Sequence, residues 1–167
     1  MDSDPLTGPS VLRVHPQDFR IGKFENGDIM SFKLQDLQEE LSADVSINRT
    51  QLEQECYNNP VIYSKWLTKY SSIKKEIISV ENQKKTVSKT RLDFYTGRLD
   101  NEICMDRYER SEMKTVLSAD EAILALDTKL QYLTLLMEFC SSAIDCIKSR
   151  GFTLKNIIDL RKFEAGS

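Results

Sequence analysis

The stretch Ile123-Leu-Ala-Leu-Asp-Thr-Lys-Leu-Gln-Tyr-Leu-Thr-Leu-Leu-Met-Glu-Phe-Cys-Ser-Ser-Ala-Ile-Asp-Cys-Ile147 decides the fold. Ile123, Leu126, Leu130, Leu133, Met137, Cys140, Ile144 and Ile147 recur at alternating steps of three and four, which places them on one side of a helix. As a helix the stretch extends about 37 Å. Leu136, Phe139 and Ala143 widen the stripe beyond what a two-stranded coiled coil requires, so it fits a multi-helix core or a subunit interface. Leu126, Leu130, Leu133, Met137, Ile144 and Ile147 are the positions expected to hold subunits together.

A second stripe precedes it: Tyr63, Trp66, Tyr70, Ile73, Ile77, Val80, Lys84, Val87, Arg91, Phe94. Its first six members are apolar, and Lys84 and Arg91 then interrupt it. Two readings compete for these cations. They lay their stems along the core and reach solvent with their heads, or the basic end of the helix leaves the core to meet a ligand. Lys85 and Lys89 are i, i+4 neighbours on an adjacent face, which favours the second reading. Gly97 is expected to end the helix, and Asp100-Asn101-Glu102 to form an acidic turn.

Charge singles out the same region. Between Asn82 and Leu92 there are four bases, Lys84, Lys85, Lys89 and Arg91, and no acid. From Pro60 to Leu99 nine Lys or Arg face three Asp or Glu, inside a chain of formal net charge -3, so the remainder is strongly acidic. Such separation concentrates a positive field at one place while the rest repels polyanions. Phe94 and Tyr95 follow the block directly, then Gly97 and Arg98. Cations that track phosphates beside flat rings that accept bases are the mixture that binds single-stranded nucleic acid. A solvated helix face is the plain alternative from charge alone.

Elsewhere the pattern is helical but interrupted. The first 30 residues hold three of the four prolines, half the glycines and the only histidine, His15, and Asn26-Gly27 there could close a small hairpin. Regularity starts at Met30, and Leu34, Leu37 and Leu41 mark one face of a short helix. Val45 to Asn48 reads as an extended connection. Thr50 with Glu53 forms a capping box for the next helix, and Pro60 is compatible with the first turn of a new helix or a kink in a continuing one. Asp106 with Glu109 is expected to open a third helical region, and Ser118 with Glu121 offers a second capping box and hence a break. Gly151 after Lys148 and Arg150 reads as a C-cap, with Thr153 capping a final helix whose Phe152 and Ile157 are placed as a hydrophobic staple.

The fold class is therefore all-α, with long helices carrying heptad seams and any β structure local. No apolar run approaches the roughly 20 residues of a membrane span, and Met1-Asp2-Ser3-Asp4 lacks the basic start of a secretory signal. Cys56, Cys104, Cys140 and Cys146 lie at no metal-ligand or redox spacing and are expected as free, partly buried thiols. His15 lies in the proline-flanked leader, and Glu39-Glu40 and Asp120-Glu121 fall near helix starts or on exposed faces, where solvation and dipole compensation account for them. Without a Walker-type loop or a nucleophile-base constellation, neither an enzyme, a cofactor nor a metal is expected.

Several unbroken stretches, in order, carry a resemblance to a known family. They are Leu37-Gln-Glu-Glu-Leu41, Tyr63-Ser-Lys-Trp-Leu67, Ser71-Ser-Ile-Lys-Lys-Glu76, Met105-Asp-Arg-Tyr108, Ser111-Glu-Met-Lys-Thr-Val-Leu-Ser-Ala-Asp120, Lys148-Ser-Arg-Gly-Phe152 and Phe163-Glu-Ala-Gly166. From about Met30 to the C-terminus the chain closely resembles the UvsY family of recombination mediators of T-even-type bacteriophages. The resemblance implies an all-helical, ring-like homo-oligomer, a hexamer or heptamer. It also implies binding of single-stranded DNA and help for a UvsX-type recombinase in displacing the phage single-strand-binding protein, in the cytoplasm of the infected host. The family's Lys-x-Arg motif, held to contact DNA, matches Lys89-Thr90-Arg91. This chain has threonine where the family more often has alanine, and Phe94 where it more often has tyrosine; neither change removes a charge or a stacking face. Residues 1–29 have no counterpart and are expected as a poorly ordered or accessory leader to a helical domain 30–167, in which residues 60–99 are expected to carry DNA binding and residues 118–167 oligomerisation. The DNA-binding residues expected are Lys84, Lys85, Lys89, Arg91, Phe94, Tyr95 and Arg98. The competing function is a helical oligomeric scaffold whose basic segment binds an acidic protein.

Overall fold

The computed structural model describes residues 33–99 and 104–166. Four helices follow one another: α1 (Leu34–Val45), α2 (Leu52–Tyr95), α3 (Met113–Ser118) and α4 (Glu121–Glu164). The helices α2 and α4 have 44 residues each, so each runs about 66 Å, and they lie antiparallel along their length. Lys84 of α2 meets Asp127 of α4, Trp66 meets Phe139, and Asn59 meets Arg150. Seven-residue spacing on both sides makes this pairing: Trp66, Ile73 and Val80 face Leu126, Leu133, Cys140 and Ile147, all buried. Two seams of that period interdigitate like a coiled coil.

The helix α1 closes one side of this pair. Leu37 is buried against the seam and Leu34 and Leu41 pack beside it. Trp66 is fully buried, and its indole Nε1 donates to Asp44 Oδ2 at 2.8 Å, so the ring's one polar atom is satisfied. Lys65 pairs with Asp44 at 2.5 Å and with Glu40 at 3.0 Å, and Lys69 also pairs with Glu40. The apolar half of α4 has the length and composition of a membrane-crossing helix. Here its stripe is filled by α2 and α1.

The helix boundaries have local reasons, and most differ from the sequence-based expectation. Of the two readings open at Pro60 the structure has the continuing helix, with Pro60 inside α2. An interior proline costs about 3 kcal/mol, and packing on both sides of it offsets this: Trp66 in the core on one, Glu55 and Asn59 bound to Arg150 on the other. The capping box at Thr50 does not form. Asn48 closes that turn, its Oδ1 accepting from the Thr50 N–H and hydroxyl, and its N–H donating to Glu55 Oε1 at 3.0 Å. No helix starts at Asp106, because the Glu112 carboxylate accepts from the Glu109 N–H at 3.0 Å and delays the start to Met113. The break at Ser118 is present, but Asp120 is the cap of α4, its Oδ1 accepting from the Ala122 and Ile123 N–H groups. Gly151 does not end a helix and Thr153 does not start one. A Cβ at Gly151 would stand 3.1 Å from Asn59 Nδ2, so the glycine serves close approach of α2 to α4. Phe152 is exposed and forms no staple. The leader 1–29, its hairpin and the acidic turn at 100–102 lie outside the described residues.

Candidate nucleic-acid interface

Helical geometry splits the basic block into two pairs. Lys84 and Arg91 are seven residues apart and continue the inward column of Tyr63, Tyr70 and Ile77. At about 100° per residue, Lys85 and Lys89 turn to the opposite side of α2, and both are exposed. Lys74, three turns back, lies on that same outward side and is exposed as well.

The inward pair does not leave the core, contrary to expectation. Across the seam α4 opens with its own seven-residue column, Asp120 and Asp127. Lys84 Nζ lies 2.5 Å from Asp127 Oδ1, and Arg91 Nε lies 2.5 Å from Asp120 Oδ2. Asp120 is almost entirely buried and all its acceptor capacity is used, Oδ1 capping α4 and Oδ2 taking Arg91 and, at 2.9 Å, the Tyr95 hydroxyl. Burial alone would push its carboxyl up. The hydrogen bonds from Arg91 and Tyr95 and the Arg91 charge outweigh that and hold it below the usual range. The Tyr95 phenol is pushed up, by burial and by its bond to Asp120.

Rings close the end of α2. The Arg91 guanidinium lies over Phe94 at 4.8 Å and over Tyr95 at 5.3 Å from the ring centroids, and the two rings meet edge to face. Both are half-buried. The helix then stops in a Schellman turn: Arg98 N–H reaches Asp93 O at 2.8 Å, Gly97 N–H reaches Phe94 O at 3.1 Å, and Gly97 has φ 68°. That turn puts Arg98 outside, its side chain 71% exposed.

Of the seven DNA-binding residues expected, Lys85, Lys89 and Arg98 are thus exposed, while Lys84, Arg91, Phe94 and Tyr95 are partly covered and joined to α4 or to each other. Sequence reasoning missed Asp120 and Asp127, although their seven-residue spacing matches that of Lys84 and Arg91. Leu126, Leu130, Leu133, Met137, Ile144 and Ile147, expected at a subunit interface, pack against α1 and α2 of the same chain. Among the cysteines, Cys140 is buried in that core and Cys146 is exposed.

A long helix with exposed lysines on one side and, at its end, half-buried rings and an exposed arginine has the cation and ring content of surfaces that bind single-stranded nucleic acid. Residues 40–167 match the family described as recombination, repair and ssDNA binding protein UvsY. The chain belongs to the UvsY family. It is similar to recombination protein uvsY of Enterobacteria phage T4, at 60% identity over 135 residues that make up 80% of this chain and 98% of that one. Crystal structures of the bacteriophage T4 recombination mediator protein UvsY superpose with TM-scores of 0.73 and 0.64, at 59% and 47% identity. Each covers 80% of this chain, and 98% and 99% of its own.

Proposed function

We propose that this protein is a recombination mediator that binds single-stranded DNA along the outward face of α2 and helps a UvsX-type phage recombinase load onto DNA covered by single-strand-binding protein. The observation that carries the reading is the gathering of exposed Lys85, Lys89 and Arg98 and the half-buried rings of Phe94 and Tyr95 at one end of α2 in a member of this family. On this reading the outward lysines and Arg98 contact phosphates, Phe94 and Tyr95 offer rings, and Lys84 and Arg91 fix the ring-bearing end against α4 while their remaining N–H groups stay within reach of the strand. Chemistry on the strand is no part of the role, which is exercised in the host cytoplasm.

A single subunit offers few binding groups, so assembly is part of the proposal. In a ring-like hexamer or heptamer each later engagement of the same strand is intramolecular, and apparent affinity rises by about 10² to 10⁴ without a new type of interaction. Residues 118–167 carry the assembly, with Leu126, Leu130, Leu133, Met137, Ile144 and Ile147 holding the rod in shape. Exposed Tyr57, Val61, Phe152, Leu160 and Phe163, near the start of α2 and the end of α4, are the apolar surface open to a neighbouring subunit. Residues 1–29 act as an accessory leader to the helical domain 30–167.

Recombinase filament formation on single-stranded DNA precoated with single-strand-binding protein tests the role. The protein is expected to shorten the lag, and Lys85→Gln with Lys89→Gln to abolish that effect. An unchanged lag with wild-type protein that binds the same DNA would overturn the loading role, and wild-type protein that does not bind it would favour the scaffold reading.

A further inference from the structure

Beyond the end of α2 the segment leading into α3 folds back over the Schellman turn and leaves a cleft of about 880 Å³. Tyr95 lines it from α2 and Arg98 from the turn after α2, and Arg107, Tyr108, Arg110 and Met113 line it from the other side. This segment is rich in acids, yet the carboxylates of Glu109 and Glu112 turn elsewhere: Glu112 accepts from the Glu109 N–H at 3.0 Å, and Glu109 accepts from the Ser111 hydroxyl at 3.4 Å. Asp106 is the one carboxylate lining the cleft among the described residues, opposite three guanidiniums, and it accepts from the Tyr108 hydroxyl at 3.3 Å. Arg107 and Arg110 are exposed.

The aromatic geometry is as specific as the charge. Tyr108 meets Tyr95 edge to face, with centroids 5.7 Å apart and planes at 85°. A T-shaped pair leaves ring face uncovered, and Tyr108 is 36% exposed. Tyr95 in turn holds Asp120 and Arg91, so the cleft is joined through shared side chains to the Lys89-Thr90-Arg91 motif.

We propose that this cleft is a nucleotide pocket at the end of the α2 track, taking one unpaired base on the Tyr108 ring and its flanking phosphates on Arg98, Arg107 and Arg110. Its size suits a ligand of that class, guanidinium forks match phosphate oxygens, and ring faces accept any base. An acidic protein would use the arginines but has no need of an open ring beside them. The proposal rests on the reading of α2 as a single-stranded DNA track and assigns to it residues outside the basic block. It gives the strand a fixed stop on each subunit.

Fluorescence anisotropy with the full-length protein tests it, using labelled oligo-dT and the same oligonucleotide with abasic sites. Arg107→Gln with Arg110→Gln is expected to bind oligo-dT about tenfold more weakly, with the slope of log affinity against log salt shallower by about 0.7 for each phosphate no longer neutralised. Tyr108→Leu is expected to lose about tenfold on oligo-dT and nothing on the abasic strand, while Tyr108→Phe keeps wild-type affinity. Variants that bind as wild type while Lys89→Gln is weakened would remove the cleft from the DNA path and leave the α2 track standing. Equal loss on both strands for Tyr108→Leu would overturn base stacking. Weakened binding of a poly-glutamate peptide, with oligo-dT bound as by wild type, would assign the cleft to an acidic protein. Wild-type protein without salt-dependent binding would end both readings.

Discussion

Two arginines clamp α2 to α4, one near each end of the pair, and they differ in what surrounds them. Arg150 is 4% exposed and bonds Asn59 Oδ1, the Ser46 carbonyl and Glu55, tying the turn before α2 to the far half of α4. Its Nε is buried with no partner among the described residues. Arg91 bonds a buried acid, Asp120, but keeps 26% of its own side chain exposed and lies against two half-covered rings. The difference teaches that an arginine-carboxylate pair has no fixed meaning. At the sealed end nothing can compete for the guanidinium, so it is architecture. At the open end the same pair orients the rings at the end of α2, and under the proposed function its unused N–H groups are the ones that take a phosphate.

The sharpest way to break the comparison is at the sealed end. Removing one partner of a buried pair leaves the other charge uncompensated, so Arg150→Ala should cost about 3–5 kcal/mol of stability. Thermal unfolding by circular dichroism measures it, and oligonucleotide affinity of the folded fraction should change little. A melting temperature equal to wild type would mean that Arg150 is no clamp.

A smaller effect is expected at the open end. Asp120→Asn keeps an N-cap acceptor but removes the charge, and the loss should fall at roughly 1–3 kcal/mol, between exposed and buried pairs. Its pH dependence follows from the lowered Asp120 carboxyl. A group whose folded pKa is depressed contributes stability above its unfolded value, about 3.9, and loses it as pH falls through the folded one. The stability gap between wild type and Asp120→Asn should therefore be constant at neutral pH and close below about pH 4. A gap that persists in acid would place the contribution in packing or hydrogen-bond geometry and not in the charge.

Much of this was legible in the sequence, and the exceptions have a common cause. Both long helices, the buried column of Trp66, Ile73 and Val80, and the stop at Gly97 follow from local periodicity and backbone chemistry. What local reading cannot supply is the partner across the seam. Lys84 and Arg91 looked like cations leaving a core because the acids that receive them lie on another helix. Gly151 looked like a cap because its reason, the nearby Asn59 amide, is remote in sequence. Arg150 likewise read as a last-turn cation until its three partners came together. In the candidate site the basic block and its rings were visible in the sequence, and how the helix divides them was hidden: Lys85 and Lys89 outward, Lys84 and Arg91 inward.

That division is the central claim, and one measurement bears on it most directly: the salt dependence of oligo-dT affinity for wild type and for Lys85→Gln with Lys89→Gln. Exposed lysines that neutralise phosphates without holding the fold should, when removed, make the slope shallower by about 0.7 for each phosphate left without its lysine, with the melting temperature unchanged. A slope equal to wild type in the folded variant would contradict the account.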